Sequence, residues 1–279
     1  MGPELFKLHA DREVRHWWFV GRRKILRALV HELVPPGEGR LIVDVGCGTG
    51  ANVAALAGEY ECVGIDVSPE GIALAREHYP NNRFIVGYAP EDLGDLTGRA
   101  DLFLMMDVLE HVRDDVGLFT RVMAAAKPGA HVIVTVPADP KLWSAHDVTH
   151  MHYRRYVYDR LRVLWEGDPV TPLLVTGLNR RLLPVVRLVR ALENRRGRTV
   201  GPGRTDLSMP PAPLNGALSR VLAGETGTTL ERLRRRVIER HPSGVSFLVV
   251  ARREPGVMTG RERAPELAAS DLHDPERTS

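Results

Sequence analysis

The side chains most able to do chemistry in this 279-residue chain fall into two groups. The first surrounds the glycine loop Asp44-Val45-Gly46-Cys47-Gly48-Thr49-Gly50-Ala51-Asn52. Glycine at alternate positions lets a ligand approach the backbone closely, and the helix that follows turns its first N–H groups towards it. No G-K-[ST] follows, which removes the triphosphate-binding loop. Asp66 closes the next strand, roughly 20 residues on, where a carboxylate can accept both hydroxyls of a ribose. Asp44 ends the strand before the loop. A nicotinamide-binding loop has no need of an acid there, whereas a ligand carrying a cationic amino group would favour one.

The second group is rich in histidine: Met106-Asp107-Val108-Leu109-Glu110-His111, then His146-Asp147 followed by His150 and His152. An imidazole titrating near neutrality can remove a proton from a hydroxyl. His146, with Asp147 beside it, ranks first as such a base, His150 second and His152 third; His111 is a further catalytic candidate. Asp107, Glu110, His111, His146 and His150 could instead hold a divalent ion. His146 and His150 share a face only if their stretch is helical, and Pro137 and Pro140 make its start irregular, so no metal is assigned. Histidines simply hydrogen-bonded to loop backbone are the plainer alternative.

Positioning these groups requires strands that end beside one another. Residues 41–45, 61–66, 83–88, 100–107 and 131–137 read as strands, with helices from 52, over 69–79 and over 116–126 between them. Ser68 is the expected N-cap and Pro69 the first helical residue. Such alternation predicts a doubly wound parallel sheet, with ligands at the strand C-terminal ends. Beyond Pro140 come a His-, Tyr- and Arg-rich stretch to Arg162 and a strand over 172–178. A basic helix at about 180–196, a Gly/Pro loop over 197–216 and an Arg-rich helix at about 217–240 precede a strand over 245–253.

The motif DVGCGTG, Asp66 within GIDVS and the closing KPGA resemble the class I S-adenosylmethionine-dependent methyltransferases, over residues 40–137. The resemblance implies an α/β Rossmann-like, doubly wound, seven-stranded and mostly parallel sheet whose antiparallel last strand is VSFLVVARR. It implies S-adenosylmethionine as cofactor and S-adenosylhomocysteine as product. Asp44, Gly46, Gly48 and Gly50 would hold the methionine portion, Asp66 the ribose, with Cys47, Asn52 and Val67 alongside. Tyr88 stands where the family often has an acid near the adenine, and Asp92 is the expected substitute. MMDVLEHV is similar to the ubiquinone-pathway O-methyltransferases, in which the residue matching Met106 contacts the cofactor and the acid and histidine, here Glu110 and His111, lie nearby; Asp107 is expected at the cofactor beside Met106. The [DN]-P-P-[YF] motif of base-modifying enzymes is absent, which argues against a nucleic-acid substrate. In His16-Trp17-Trp18-Phe19-Val20-Gly21-Arg22-Arg23 the aromatics either anchor a helix or cover the cofactor. Trp17 would contribute to that cover, and Arg22 or Arg23 would reach the cofactor carboxylate.

These readings divide the chain into an N-terminal helical lid (1–39), a cofactor-binding core (40–178), a helical insertion or cap (179–244), the last core strand (245–253) and a disordered tail (254–279). Hydrophobic residues are 43% and charged residues 26%, ordinary for a soluble protein. The cysteines, Cys47 and Cys62, fit neither a disulfide framework nor a zinc motif, and no secretory leader or membrane span is evident, so a cytoplasmic protein is expected. The apolar positions Leu182, Leu183, Val185, Val186, Leu188, Val189 and Leu192 alternate with arginines. That helix could roof an acceptor pocket, join a homodimer or rest on anionic lipid. The expected function is methyl transfer to a small organic acceptor, an apolar one among the candidates, at a hydroxyl oxygen, by in-line displacement with a histidine base. The alternatives are transfer to nitrogen or carbon, other chemistry in the same pocket, or non-catalytic binding.

Overall fold

The computed structural model describes residues 3–195 and 207–258. Two helices, α1 (Pro3–Glu13) and α2 (Trp17–Leu33), lead into a sheet built from β1 (Leu41–Val45), β2 (Glu61–Asp66), β3 (Arg83–Val86), β4 (Leu102–Met106), β5 (His131–Pro137), β6 (Val170–Leu178) and β7 (Ser246–Arg253). The sheet is seven-stranded in the order β3-β2-β1-β4-β5-β7-β6. β1 to β5 pair in parallel, while β7 runs antiparallel to both β5 and β6. Strands β1 and β4 are buried at every position, which explains why they are apolar throughout but for Asp44 in β1: both faces are covered by helices.

Alternation along these strands sorts the core into two layers. Leu41, Val43, Val45, Phe103 and Met105 pack with α5 (Leu96–Arg99) and α6 (Asp115–Ala125) on one face. Ile42, Leu102, Leu104 and Met106 pack with α2, α3 (Ala51–Leu56) and α4 (Pro69–His78) on the other. Ser68 caps α4 as expected, its hydroxyl accepting the Gly71 N–H at 3.1 Å. After β5 come the one-turn helices α7 (Ala145–Thr149) and α8 (Tyr158–Arg162). Three further helices, α9 (Leu183–Arg195), α10 (Ala212–Ala223) and α11 (Thr226–Arg234), lie between β6 and β7. α10 packs so tightly on α2 that a Cβ at Gly21 would meet Leu222 at 2.9 Å.

Several boundaries differ from the sequence reading. β3 stops at Val86 because the Asp92 carboxylate draws the Tyr88 N–H into a turn, at 2.7 Å. β4 stops at Met106 because Asp107 takes a left-handed φ of 59°. The single helix expected at 217–240 is two helices broken at Gly224-Glu225. There the buried Glu225 carboxylate accepts the Asn179 and Arg181 N–H groups, each at 2.9 Å. Residues 237–239 then pair along β6, with the Val175 N–H donating to the Val237 carbonyl and the Glu239 N–H to the Val175 carbonyl. The 197–216 loop is described only from 207 onward, and residues 259–279 of the expected tail lie outside the described residues.

Candidate active site

The loop between β1 and α3 crosses the end of β2, where the N–H groups of Gly46 and Cys47 both donate to the Ile65 carbonyl. Gly46 has φ +68°, and a Cβ there would strike Val108 at 2.6 Å, so glycine is required by the fold itself. Gly48 differs: its φ is +53°, yet a Cβ would find nothing within 4 Å. It faces open space and leaves the backbone bare on the ligand side. Asp66 is held ready beside it, accepting the Gly48 N–H on one oxygen and the Ser68 N–H on the other, each at 2.9 Å.

Asp44 lies beneath the loop, 2% exposed, with neither carboxylate oxygen in hydrogen-bonding geometry with a described partner. Burial pushes its carboxyl up to about 7; the Asn52 amide and the Arg22 guanidinium pull the other way, and Asp66 and Glu13 add to the rise. A buried, unsatisfied carboxylate is costly unless a cation meets it. This orphaned acid, the bare cradle at Gly48 and the presented Asp66 fit S-adenosylmethionine, which brings an ammonium group and a ribose.

The N-terminal helices close over this end. The Thr49 hydroxyl donates to the Glu13 carboxylate at 2.7 Å, joining α1 to the loop, and burial raises the Glu13 carboxyl. Arg22 is paired with Asp107, and its guanidinium carbon lies 5.8 Å from the Trp18 ring centroid. Asp107 also accepts the Thr135 hydroxyl at 2.9 Å, so the left-handed residue after β4 fixes where Arg22 sits. His9 carried no signal in the sequence, and Glu13 and His16 entered only as members of the stretch around HWWF, without a role of their own.

Beyond β4 and β5 the histidines converge. α7 does form, with Ser144 and Asp147 making a capping box, so His146 and His150 share a face and their rings lie 3.9 Å apart between centroids. The His150 Nδ1 lies 2.8 Å from the His146 carbonyl. A carbonyl only accepts, so Nδ1 carries the proton, and the other ring nitrogen lies 3.1 Å from His9 Nε2. Asp147 does not serve its neighbour His146. Adjacent residues of a one-turn helix point in different directions, and the Asp147 carboxylate turns to His152 Nδ1 at 2.9 Å. It is further held by Arg155 and by the Ser144 N–H. The guanidinium and His152 hold Asp147 far below the usual carboxylate range despite its burial. Burial, followed by neighbouring histidines, lowers the pKa of His111 and His146 well below the ordinary value. Glu110 is 1% exposed, and burial, then Asp107, drives its pKa well up.

A cavity of about 400 Å³ joins the two groups. Trp17, Arg22, Gly46, Cys47, Gly48, Asn52, Met106, Asp107, His111, His146 and His150 all line it. His9, Glu13, Thr49, His152 and Arg155 line it too, as do Val185, Val186 and Val189 of α9. Asp44 lies below the loop and Gly50 packs against Phe84, where a Cβ would come within 2.7 Å. Asp66, Val67 and Asp92 are not among the lining residues; Val67 is 57% exposed, and Asp92 is engaged by Tyr88. Under the chamber, Asp115 gathers Tyr156, Arg154 and Arg160 into a buried network that ties the stretch after α7 to α6.

An open sheet in this strand order, with a glycine cradle after β1 and an acid closing β2, has the architecture of the class I S-adenosylmethionine-dependent methyltransferases. Residues 15–166 match the methyltransferase domain family, more than half of the chain, and the protein belongs to that family. Among curated relatives, the ubiquinone biosynthesis O-methyltransferase of Cereibacter sphaeroides is 32% identical over 111 residues, 38% of this chain and 45% of that protein. The chain thus spans less than half the length of that relative. The enzyme of the same name from Vibrio atlanticus is 28% identical over 202 residues, 63% of this chain and 85% of that protein. A chain from the complex between the Haloferax volcanii Trm112 methyltransferase activator and a methyltransferase superposes with a TM-score of 0.52 at 16% identity, covering 90% of this chain and 98% of that one. That similarity is one of fold.

Proposed function

We propose that this protein transfers a methyl group from S-adenosylmethionine to a hydroxyl oxygen of a small, apolar organic acceptor. The observation that carries the reading is the cavity that the Gly46–Gly48 backbone and the histidine cluster line together. When bound, the cofactor supplies an electrophilic methyl group. Asp44 would meet its amino group, Asp66 its ribose, and Met106, Cys47 and Asn52 would pack along it. The Arg22–Asp107 pair with Trp17 and Trp18 would close over it and exclude water. Val185, Val186 and Val189 give the acceptor end an apolar roof, and the curated relatives named above are O-methyltransferases.

Displacement at a methyl carbon gains most from holding the attacking oxygen in line. The acceptor hydroxyl must also lose its proton. Burial keeps His146 neutral, so it is in the accepting form at neutral pH. It is a weak base there, which suits a phenolic or enolic hydroxyl better than an aliphatic one. The His150 ring stacked against it is fixed by its two hydrogen bonds.

The reading is tested by incubating the full chain with methyl-labelled S-adenosylmethionine and a panel of hydroxylated apolar aromatics. Base-stable label in the organic extract is the expected result, with turnover falling ~10²-fold or more in His146→Ala. Label only on nitrogen or carbon, or turnover unchanged in both His146→Ala and His150→Ala, would contradict it.

A further inference from the structure

We propose that Glu110, His111 and His152 bind a divalent first-row transition ion, zinc foremost, at the acceptor end of the cavity. One ligand atom from each of these residues lies within 4.8 Å of the other two. Bond lengths of about 2.0–2.2 Å to nitrogen and oxygen need ligand atoms somewhat closer than this, a difference that small side-chain rotations supply.

A hydrogen bond leaves His152 in the form a metal needs. Asp147 can only accept from His152 Nδ1, so that nitrogen holds the proton and Nε2 presents its lone pair. Asp147 is itself fixed by Arg155 and Ser144, reproducing the carboxylate–histidine–metal arrangement in which an outer acid sets the tautomer and ring orientation. Glu110 is 1% exposed, and its Oε2 has no hydrogen-bond partner among the described residues. A carboxylate oxygen buried in this way, within reach of two imidazoles, is accounted for by a cation between them. The His111 and His152 ring centroids are 4.7 Å apart and edge-to-face, which avoids a stacked pair and leaves room for nitrogens to converge.

The donor set also selects the ion. Two imidazoles and one carboxylate suit zinc and its neighbours, whereas magnesium and calcium take oxygen ligands. Three protein ligands leave a position open. Glu110, His111 and His152 all line the cavity, as does His146, whose ring centroid is 6.0 Å from that of His152. If the methyl-transfer reading above holds, the open position takes the acceptor oxygen. The O–H bond breaks, its proton passes to His146, and a metal–oxygen bond forms with no change of oxidation state. The ion would also give the buried Glu110 Oε2 its partner.

The test strips the full chain with a chelator and titrates it with Co²⁺, reading the visible ligand-field bands, then with Zn²⁺ as competitor. One Co²⁺ per chain, displaced by Zn²⁺, is expected. His111→Ala, His152→Ala and Glu110→Gln should each weaken binding by ~100-fold or more, and Asp147→Asn by about 10–100-fold. S-adenosylhomocysteine binding, measured on the same samples, reports whether each variant is folded. Where a variant is not, X-ray absorption of the zinc-loaded native chain replaces it, and a shell with two imidazoles is expected. Native protein that binds S-adenosylhomocysteine but gives no cobalt spectrum, or a folded His152→Ala with unchanged cobalt affinity, would overturn the site. Failure of S-adenosylhomocysteine binding with intact cobalt binding would overturn the cofactor reading instead.

Discussion

Asp44 gives the sharpest quantitative handle on the cofactor site, because its carboxyl, ordinarily near 3.8, is pushed to about 7 in the ligand-free fold. At pH 6 about nine-tenths of the population is therefore protonated, and a ligand ammonium group meets a neutral acid. S-adenosylhomocysteine affinity should rise about tenfold between pH 6 and pH 8 and then level off, with proton release on binding at the acid end. The stability sign follows from the same shift. A carboxyl whose folded pKa is raised contributes stability present at low pH and lost as pH rises from about 4 through about 7. Above that, burying the charge costs up to about 4 kcal/mol at ~1.4 kcal/mol per pH unit. Asp44→Asn removes this cost along with the charge. It should melt higher than the native chain at pH 8, bind S-adenosylhomocysteine more weakly, and show no pH dependence beyond that of the ligand. Calorimetric titrations at pH 6, 7 and 8, with thermal melts of both proteins, measure all three effects. A native affinity that is flat across this range, or an Asp44→Asn variant that binds as tightly as the native chain, would refute the assignment.

Three further outcomes follow from the geometry. Gly48→Val adds strain at φ +53°, about 1–2 kcal/mol in thermal unfolding, but should reduce S-adenosylhomocysteine affinity far more, because the space it fills is on the ligand side. Asp115→Ala leaves Arg154 and Arg160 buried without their carboxylate and should lower stability by about 3–5 kcal/mol in denaturant unfolding. Ser68→Ala removes the α4 cap and should cost about 1 kcal/mol, and its effect on S-adenosylhomocysteine affinity should be small unless the Asp66 carboxylate shifts with the Ser68 N–H it accepts.

The sheet was legible because its strands carry their signal locally. LIVDV and LFLMM are buried on both faces and read as apolar runs, interrupted only by Asp44, and the glycine loop has a spacing that few other uses demand. What could not be read was long-range. Asp147 adjoins His146 in sequence, yet serves His152, because a turn of helix separates neighbouring side chains in direction. Arg22 has an aromatic-flanked position that suggested a cofactor carboxylate as partner, but the Asp107 that pairs with it lies 85 residues further on, just after β4. His9 sits in an unremarkable polar helix, and only the folding of α1 over the loop brings it to His150. The break at Glu225 was invisible for the same reason: its carboxylate satisfies N–H groups at the end of β6, which periodicity alone does not report.

The proposed place of S-adenosylmethionine is the Gly46–Gly48 cradle beside Asp66. Isothermal titration of the full chain with S-adenosylhomocysteine tests this most directly, compared with Asp66→Ala and with a reduced nicotinamide dinucleotide. One saturable site per chain, lost in a folded Asp66→Ala and not filled by the dinucleotide, is the predicted result. Binding of the dinucleotide in its place, or S-adenosylhomocysteine binding that is indifferent to Asp66, would contradict it.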